Sequence, residues 1–366
     1  MVLLKNIIRH LEQIAPISYQ ESYDNAGLLM GDLDSKISRV LISLDCTEEV
    51  VEEAIQKKCQ LIVAHHPIIF KGLKKITGKN YVERTILKAI KNDIALYAIH
   101  TNLDHVHTGV NRKIGEQLGL KNLKILAPKE DSLCKLVTFV PLENVQNVLD
   151  ALSEAGAGNI GNYKKCSFQV EGIGTFLPSE NANPHIGEKG KIENVRESRV
   201  EVILPKHIKY QVLNALKNAH PYEEVAYYLT DLQNINQEVG AGMVGDLPQE
   251  METTEFLKFL KERMKTSCIR HTRLLRHTIS RVALCGGAGS FLLPNAKRES
   301  ADIFITGDFK YHEFFDAENQ IIIADIGHYE SEQFTKELLK EFISQVADNL
   351  NIFLCEVNTN PIQYYF

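Results

Sequence analysis

Leu4, Ile7, Ile8, Leu11 and Ile14 recur at helical spacing and predict an amphipathic helix over residues 3–14. A polar loop, Ser22-Tyr23-Asp24-Asn25-Ala26-Gly27, separates it from a strand over Ile37–Asp45. Helix then alternates with strand: a helix over Glu48–Lys58, a strand over Leu61–Ala64, a helix over 81–92 and a strand over Ala95–Ile99. Short apolar strands without internal polar positions, separated by helices, predict an α/β sheet covered on both faces.

The pattern changes near Pro128. Strand Cys134–Val140 precedes an amphipathic helix over Glu143–Ala155, with Val145, Val148, Leu149 and Leu152 on one face. A glycine turn, Gly156–Gly161, follows. Strands over Ser167–Phe176 and Arg199–Leu204, a helix over Ile208–Ala219 and a strand over Glu224–Thr230 complete a β-α-β-β-α-β order. That is the order of a ferredoxin-like domain.

After about Asn236 the first pattern returns as a repeat. Ile37-Ser38-Arg39-Val40 recurs as Ile279-Ser280-Arg281-Val282. Gly27-Leu28-Leu29-Met30-Gly31-Asp32 is echoed by Ala241-Gly242-Met243-Val244-Gly245-Asp246, and Leu61–Ala64 by Asp302-Ile303-Phe304-Ile305. The fold class expected is therefore α/β: two related α/β halves forming one unit, with an inserted ferredoxin-like domain. The expected boundaries are 1–127 plus 237–366 for the unit and 128–236 for the insertion.

At 366 residues the chain accommodates two cores. A net charge of −6 and the lack of a basic stripe disfavour nucleic-acid binding by bulk attraction. The start, Met1-Val2-Leu3-Leu4-Lys5-Asn6, lacks signal-peptide architecture, and no apolar run approaches the ~20 residues of a membrane span. The cysteines (Cys46, Cys59, Cys134, Cys166, Cys268, Cys285, Cys355) are odd in number and scattered, without a Cys-x-x-Cys pair. They read as buried thiols of a cytoplasmic protein rather than a disulfide framework or a thiolate metal site.

Chemistry concentrates at strand ends. His65-His66-Pro67 ends one apolar run; His100 and Asp104 follow another. Thr306-Gly307-Asp308 ends a third, with His312 shortly after, and His328 and Glu332 follow Ile321–Ala324. Ligands of α/β sheets bind beyond the carboxyl ends of the strands. His328 and Glu332 are four apart at the start of a helix marked by Phe334, Leu338, Leu339, Phe342, Ile343 and Val346, so they share a face. Singly, each motif has an ordinary explanation: a polar loop, a helix cap, a turn. Jointly, imidazoles and carboxylates without thiolates describe a dinuclear site for Zn, Fe, Mn or Co, with positions left open for water or substrate. His10, His185, His207, His271 and His277 have no such context.

At these residues the chain resembles the GTP cyclohydrolase 1 type 2 homologue family, also called Nif-three-like or YqfO type. The motifs are Tyr23-Asp24-Asn25-Ala26-Gly27-Leu28, Ala64-His65-His66-Pro67, His100-Thr101-Asn102-Leu103-Asp104, Thr306-Gly307-Asp308 and Gly327-His328-Tyr329-Glu330-Ser331-Glu332, and the likeness runs end to end. It implies two divalent ions held by His65, His66, Asp104, His328 and Glu332, with Glu332 as the bridge, and a toroidal homohexamer. The middle segment is similar to PII and CutA-type proteins through Gly158–Tyr163 and His220–Ala226. His100, Asp308 and His312 are candidates behind the ligands or on the substrate side, and His100 or His312 would relay protons. Asp24 or Asn25 is a candidate to face the cavity.

The expected function is metal-dependent hydrolysis, either purine ring opening or phosphoester cleavage, on a nucleotide or phosphorylated small molecule. The alternative is a regulatory or scaffold protein with a metal store and a small-molecule-sensing insert. For that insert, Gly156–Gly161 reads more simply as a tight turn needing positive φ than as an anion cradle.

Overall fold

Four parallel strands and one antiparallel strand form the first sheet, in the order Asn351–Leu354, Arg39–Ser43, Leu61–Ala64, Ala95–Ala98 and Gly27–Met30. The computed structural model describes residues 1–365. A second sheet of six strands runs in the order Arg270–His271, Ile322–Asp325, Ile303–Gly307, Thr278–Ala288, Asn236–Glu252 and Lys121–Lys129. Its Thr278–Ala288, Ile303–Gly307 and Ile322–Asp325 strands are parallel. Leu61–Ala64, Ala95–Ala98, Ile303–Gly307 and Ile322–Asp325 are buried at every position, which is why they read as unbroken apolar runs. Val40, Leu61 and Val63 share one core cluster with Val282, Ile303 and Ile322, so the two sheets enclose a common interior.

The helices begin where polar side chains can satisfy free backbone amides. Thr47 caps Glu48–Gln56 by accepting from the Val50 amide. Asn80 caps Tyr81–Lys91, accepting from the Glu83 amide at 2.9 Å, while Glu83 accepts from the Thr77 amide at 2.7 Å.

The repeated tetrapeptide is held identically in both halves. Gln60 Oε1 accepts from the amides of Ser38 and Arg39, each at 3.0 Å, and from the Ser38 hydroxyl at 3.1 Å. Asp302 Oδ2 accepts from the amides of Ser280 and Arg281, each at 2.9 Å, and from the Ser280 hydroxyl at 3.0 Å. The glycine-rich echo does not share this equivalence. Gly27–Met30 pairs with Ala95–Ala98, whereas Met243 and Val244 pair with Leu284 and Ala283. The six-residue likeness therefore falls at different places in the two sheets: Gly27–Met30 is an edge strand, whereas Asn236–Glu252 lies between Thr278–Ala288 and Lys121–Lys129.

The chain divides into two compact units, Met1–Pro128 with Glu238–Phe366, and Lys129–Gln237. The second unit has a four-stranded antiparallel sheet ordered Tyr227–Leu232, Leu133–Pro141, Glu193–Pro205, Phe168–Phe176. Val148 and Leu152 of helix Val145–Glu154, and Val212 and Leu216 of helix Lys209–Ala219, cover Leu136, Val140, Val200 and Val202 of the sheet. Gly156, Gly158 and Gly161 all have positive φ, as the tight-turn explanation requires.

Several elements depart from the spacing-based expectation, and the strand expected over Arg199–Leu204 runs from Glu193 to Pro205. Ser38 turns to Gln60, so the expected strand over Ile37–Asp45 splits into Lys36–Ile37 and Arg39–Ser43. The helix expected from His328 onward is two helices, His328–Glu332 and Thr335–Ser344. Between them the Gln333 side chain donates through Nε2 to the Met264 carbonyl at 2.8 Å, and Phe334 enters the core. All seven cysteines are free thiols. Among the described residues no helix is long and apolar enough to cross a membrane.

Candidate metal centre

The carboxyl ends of parallel strands from both sheets deliver the imidazoles. His65 and His66 leave Leu61–Ala64, and their amides continue the ladder to the carbonyls of Ser43 and Leu44 at 3.2 and 2.9 Å. Each imidazole is oriented through Nδ1. His65 Nδ1 donates to the Ile99 carbonyl at 2.8 Å. His66 donates to Asp45 Oδ1, His328 to Asp308 Oδ2 and His100 to Asp24 Oδ1, each at 2.7 Å. Asp45 is itself fixed, because its Oδ2 accepts from the Thr359 hydroxyl at 2.6 Å. Partners of this kind set the tautomer and leave each Nε2 for a ligand.

The Nε2 atoms converge on Glu332, a residue 3% exposed. Glu332 Oε2 lies 2.9 Å from His66 Nε2 and 3.1 Å from His328 Nε2. Glu332 Oε1 lies 3.9 Å from His65 Nε2, which is 3.6 Å from Asp104 Oδ1. Three groups have ligand atoms within 4.8 Å of one another: His66, His328 and Glu332; His65, Asp104 and Glu332; and His65, His66 and His100. Two glycines make the close approach possible. A Cβ on Gly287, at φ +61°, would sit 2.5 Å from Glu332 Oε1, and one on Gly307 would sit 2.8 Å from the His328 amide.

The electrostatics separate the imidazoles. Burial drives the His65 pKa down to about 3, against the attraction of Glu332. Burial also opposes charge on His66, but its hydrogen bonds to Asp45 and Glu332 prevail and raise it to about 10. On His328 burial is outweighed by Glu332 and Asp308, which raise it to about 11. Burial and the neighbouring Glu332 hold the Asp104 carboxyl well above the ordinary carboxylate range. Burial works against Glu332 ionising as well, yet His328 and His66 hold its pKa below the ordinary value.

The donor set fits divalent cations. His65 Nε2 and Asp104 Oδ1 are buried without a hydrogen-bond partner. An unsatisfied buried polar atom costs about 1–3 kcal/mol. A cation taking nitrogen and oxygen ligands at about 2.0–2.2 Å would satisfy both atoms at once. Cations at the cluster would also take the place of the protons that the metal-free groups hold.

The structure thus brings His65, His66, Asp104, His328 and Glu332 together, with His100 alongside, its ring centroid 5.3 Å from those of both His65 and His66. Asp308 sits behind His328. His312 is not in the cluster, contrary to its expected place as a proton relay. It is exposed on the Tyr311–Ala317 turn, with its ring centroid 5.2 Å from that of Tyr311 and 6.4 Å from that of Phe315. Of the pair Asp24 and Asn25, only Asp24 supports the cluster; Asn25 donates to the Ile69 carbonyl at 2.6 Å. Asp45, Thr359 and Gly287 went unnominated from sequence. Asp45 follows a strand as His65 does, and Gly287 lies in the run Cys285-Gly286-Gly287-Ala288-Gly289 at the end of the strand Thr278–Ala288, so strand-end position could have flagged both. No local signal marks Thr359.

Comparison with known proteins agrees with the resemblance drawn from the motifs. Residues 2–361 match the family Duf34/NIF3 (NGG1p interacting factor 3). The chain is 40% identical over 365 residues to the GTP cyclohydrolase 1 type 2 homolog of Bacillus subtilis (strain 168), covering 98% of each chain. It is 38% identical to the crystal structure of a Bacillus cereus protein related to NIF3, with a TM-score of 0.88 over 100% of this chain and 99% of that one. A Staphylococcus aureus crystal structure, of protein SA1388, gives 31% identity and a TM-score of 0.78 over 100% and 99% of the two chains. A match spanning residues 2–361, with such identity over nearly the whole length of the relatives, establishes that the chain belongs to the Duf34/NIF3 family.

Proposed function

We propose that the cluster is a dinuclear centre and that the protein is a metal-dependent hydrolase of nucleotides or phosphorylated small molecules. The observation that carries this reading is the division of labour at Glu332. Its Oε2 faces His66 and His328, while its Oε1 faces His65 and the partnerless Asp104 Oδ1. A carboxylate so placed suits one cation on each side, with His66 and His328 on one and His65 and Asp104 on the other. The physiological metal is one of Zn, Fe, Mn or Co, all compatible with nitrogen and oxygen donors.

Two such cations would supply Lewis acidity toward a substrate heteroatom, polarising a ring carbon or phosphoryl group, and would lower the pKa of a water. The chain's own residues do the rest. Asp45, Asp308 and the Ile99 carbonyl fix the ligand imidazoles, and Gly287 leaves room for Glu332. His100, oriented by Asp24, is the proton-handling group of the site; Thr101, whose amide donates to Asp24 Oδ2 at 3.0 Å, steadies that pair.

The relatives' name, GTP cyclohydrolase 1 type 2 homolog, supports purine ring opening as the first reaction to test. The proposal includes a homohexamer, as the resemblance implies, and a ferredoxin-like, PII/CutA-type reading of the second unit, supported by its strand order. The test is to reconstitute the chain with each metal and assay GTP and a panel of nucleotides and phosphoesters. Turnover that disappears in His65→Ala supports the reading. Metal-replete protein inert toward the whole panel overturns the catalytic half.

A further inference from the structure

The sheet of the second unit carries helices on one face only. On the other, the segment from Leu177 to Ile186 lies across a cleft of ≈ 720 Å³. The Asn183 amide, donating to Glu223 Oε1 at 2.7 Å, ties that segment to the rim. The volume lies within the roughly 300–1,000 Å³ of small-molecule sites. Its walls are aromatic. Phe139 and Tyr228 meet edge to face with centroids 5.7 Å apart, and Phe176 and Tyr222 do so at 5.8 Å.

A carboxylate stands among these rings. Glu197 is 7% exposed. Its Oε1 accepts from the Tyr222 hydroxyl at 2.9 Å, while its Oε2 accepts no hydrogen bond among the described residues. The neighbouring strand is shaped around it. A Cβ on Gly174 would lie 2.1 Å from Glu197 Oε2, so only glycine leaves that oxygen its place. Gly172, in register with Glu197, has nothing within 4 Å of its Cβ position and leaves the cleft open.

The charge balance of the lining is negative. Arg199 is engaged by Glu201 at 2.8 Å, and Glu171 by Arg196 at 2.6 Å. Glu197, Glu223 and Glu224 are left to set the field. A carboxylate oxygen beside these rings that has no donor from the protein is open to a charge-assisted hydrogen bond from a ligand. Aromatic faces favour a flat partner, and more so a cationic one.

We propose that this cleft binds a planar aromatic small molecule that is cationic or rich in N–H donors, stacked on the ring walls with its donor edge on Glu197 Oε2. None of the residues of the metal cluster lines this cleft. It gives the second unit a ligand-binding role of its own.

The experiment compares benzamidine with benzoate, which share size and flatness and differ in charge. Binding is measured by saturation-transfer NMR and calorimetry on the full-length chain. Benzamidine should bind the wild type at least about tenfold more tightly than benzoate. Glu197→Gln, which can keep the Tyr222 contact, should remove that preference. Gly172→Phe, which fills open space at a position of ordinary φ, should abolish benzamidine binding while leaving the melting temperature near wild type. His65→Ala should bind benzamidine like the wild type, which separates this site from the metal reading. Equal or tighter binding of benzoate would overturn the proposal, as would no benzamidine binding at low-millimolar concentration, or binding indifferent to both cleft variants. A change in oligomeric mass in Gly172→Phe would identify the face as a contact between copies and overturn it too.

Discussion

Asp45→Asn should weaken one cation and spare the other. His66 belongs to the His66, His328 and Glu332 group and is oriented by Asp45 at 2.7 Å, a length typical of a charge-assisted bond. Asparagine can still accept from Nδ1 but removes the charge that raises the basicity of Nε2. Loss of such a partner costs roughly 10–100-fold in metal affinity, which is about 1.4–2.7 kcal/mol. His65 is fixed instead by the Ile99 carbonyl at 2.8 Å, which the substitution does not touch. The second cation should therefore hold within about threefold. Thr359→Val, which removes the 2.6 Å bond supporting Asp45, should shift the same cation in the same direction by less. Competition against a chromophoric chelator resolves the two affinities. Equal weakening of both ions, or of neither, would refute the assignment of His66 to one side of Glu332.

Three further outcomes follow from the geometry. Gly287→Ala should lower both metal content and the melting temperature of the stripped protein, since it adds a Cβ 2.5 Å from Glu332 Oε1 at φ +61° and costs about 1–2 kcal/mol in backbone strain alone; unchanged metal content would be inconsistent with the tight fit. Without metal, His66 and His328 have pKa values raised from 6.5 to about 10 and about 11, so their contribution to stability is complete below 6.5 and disappears as pH rises through those values. Metals compete with the same protons, so metal affinity should instead increase from about pH 6 to about pH 8, and calorimetry should register proton release; a flat profile would contradict the protonation assigned to the cluster. In the sheet halves, Gln60→Ala and Asp302→Ala should each destabilise by about 1–3 kcal/mol, with Asp302→Ala costing more because its acceptor is charged; denaturant unfolding reads the difference.

The sequence pointed to the cluster because its members lie at or soon after strand ends, and strand ends are marked by where an apolar run stops. That rule offered His65, His66, His100, Asp104, Asp308, His312, His328 and Glu332 together, and the choice of His65, His66, Asp104, His328 and Glu332 among them is what the family resemblance implies. The repeat was legible where it encodes a hydrogen-bonding device, as at Ser38-Arg39 and Ser280-Arg281, since each pair requires one acceptor that follows at the next strand. It misled at Gly27–Met30, because an edge strand and an inner strand can carry the same glycine-rich pattern. The supports of the ligands were harder to read. Asp45 and Thr359 are separated by more than three hundred residues and meet only in three dimensions. His312 shows the converse, since proximity in sequence to Asp308 did not bring it inward: Asp308 takes a positive φ of 59°, and the following turn carries His312 to the surface.

Metal content per chain, measured by mass spectrometry on protein purified without chelators alongside Glu332→Gln, tests the sharing of Glu332 most directly. Two divalent ions per wild-type chain and no more than one in Glu332→Gln is the outcome expected of a bridging carboxylate. A wild-type chain that binds only one ion or none, or a Glu332→Gln chain that keeps two, would contradict it.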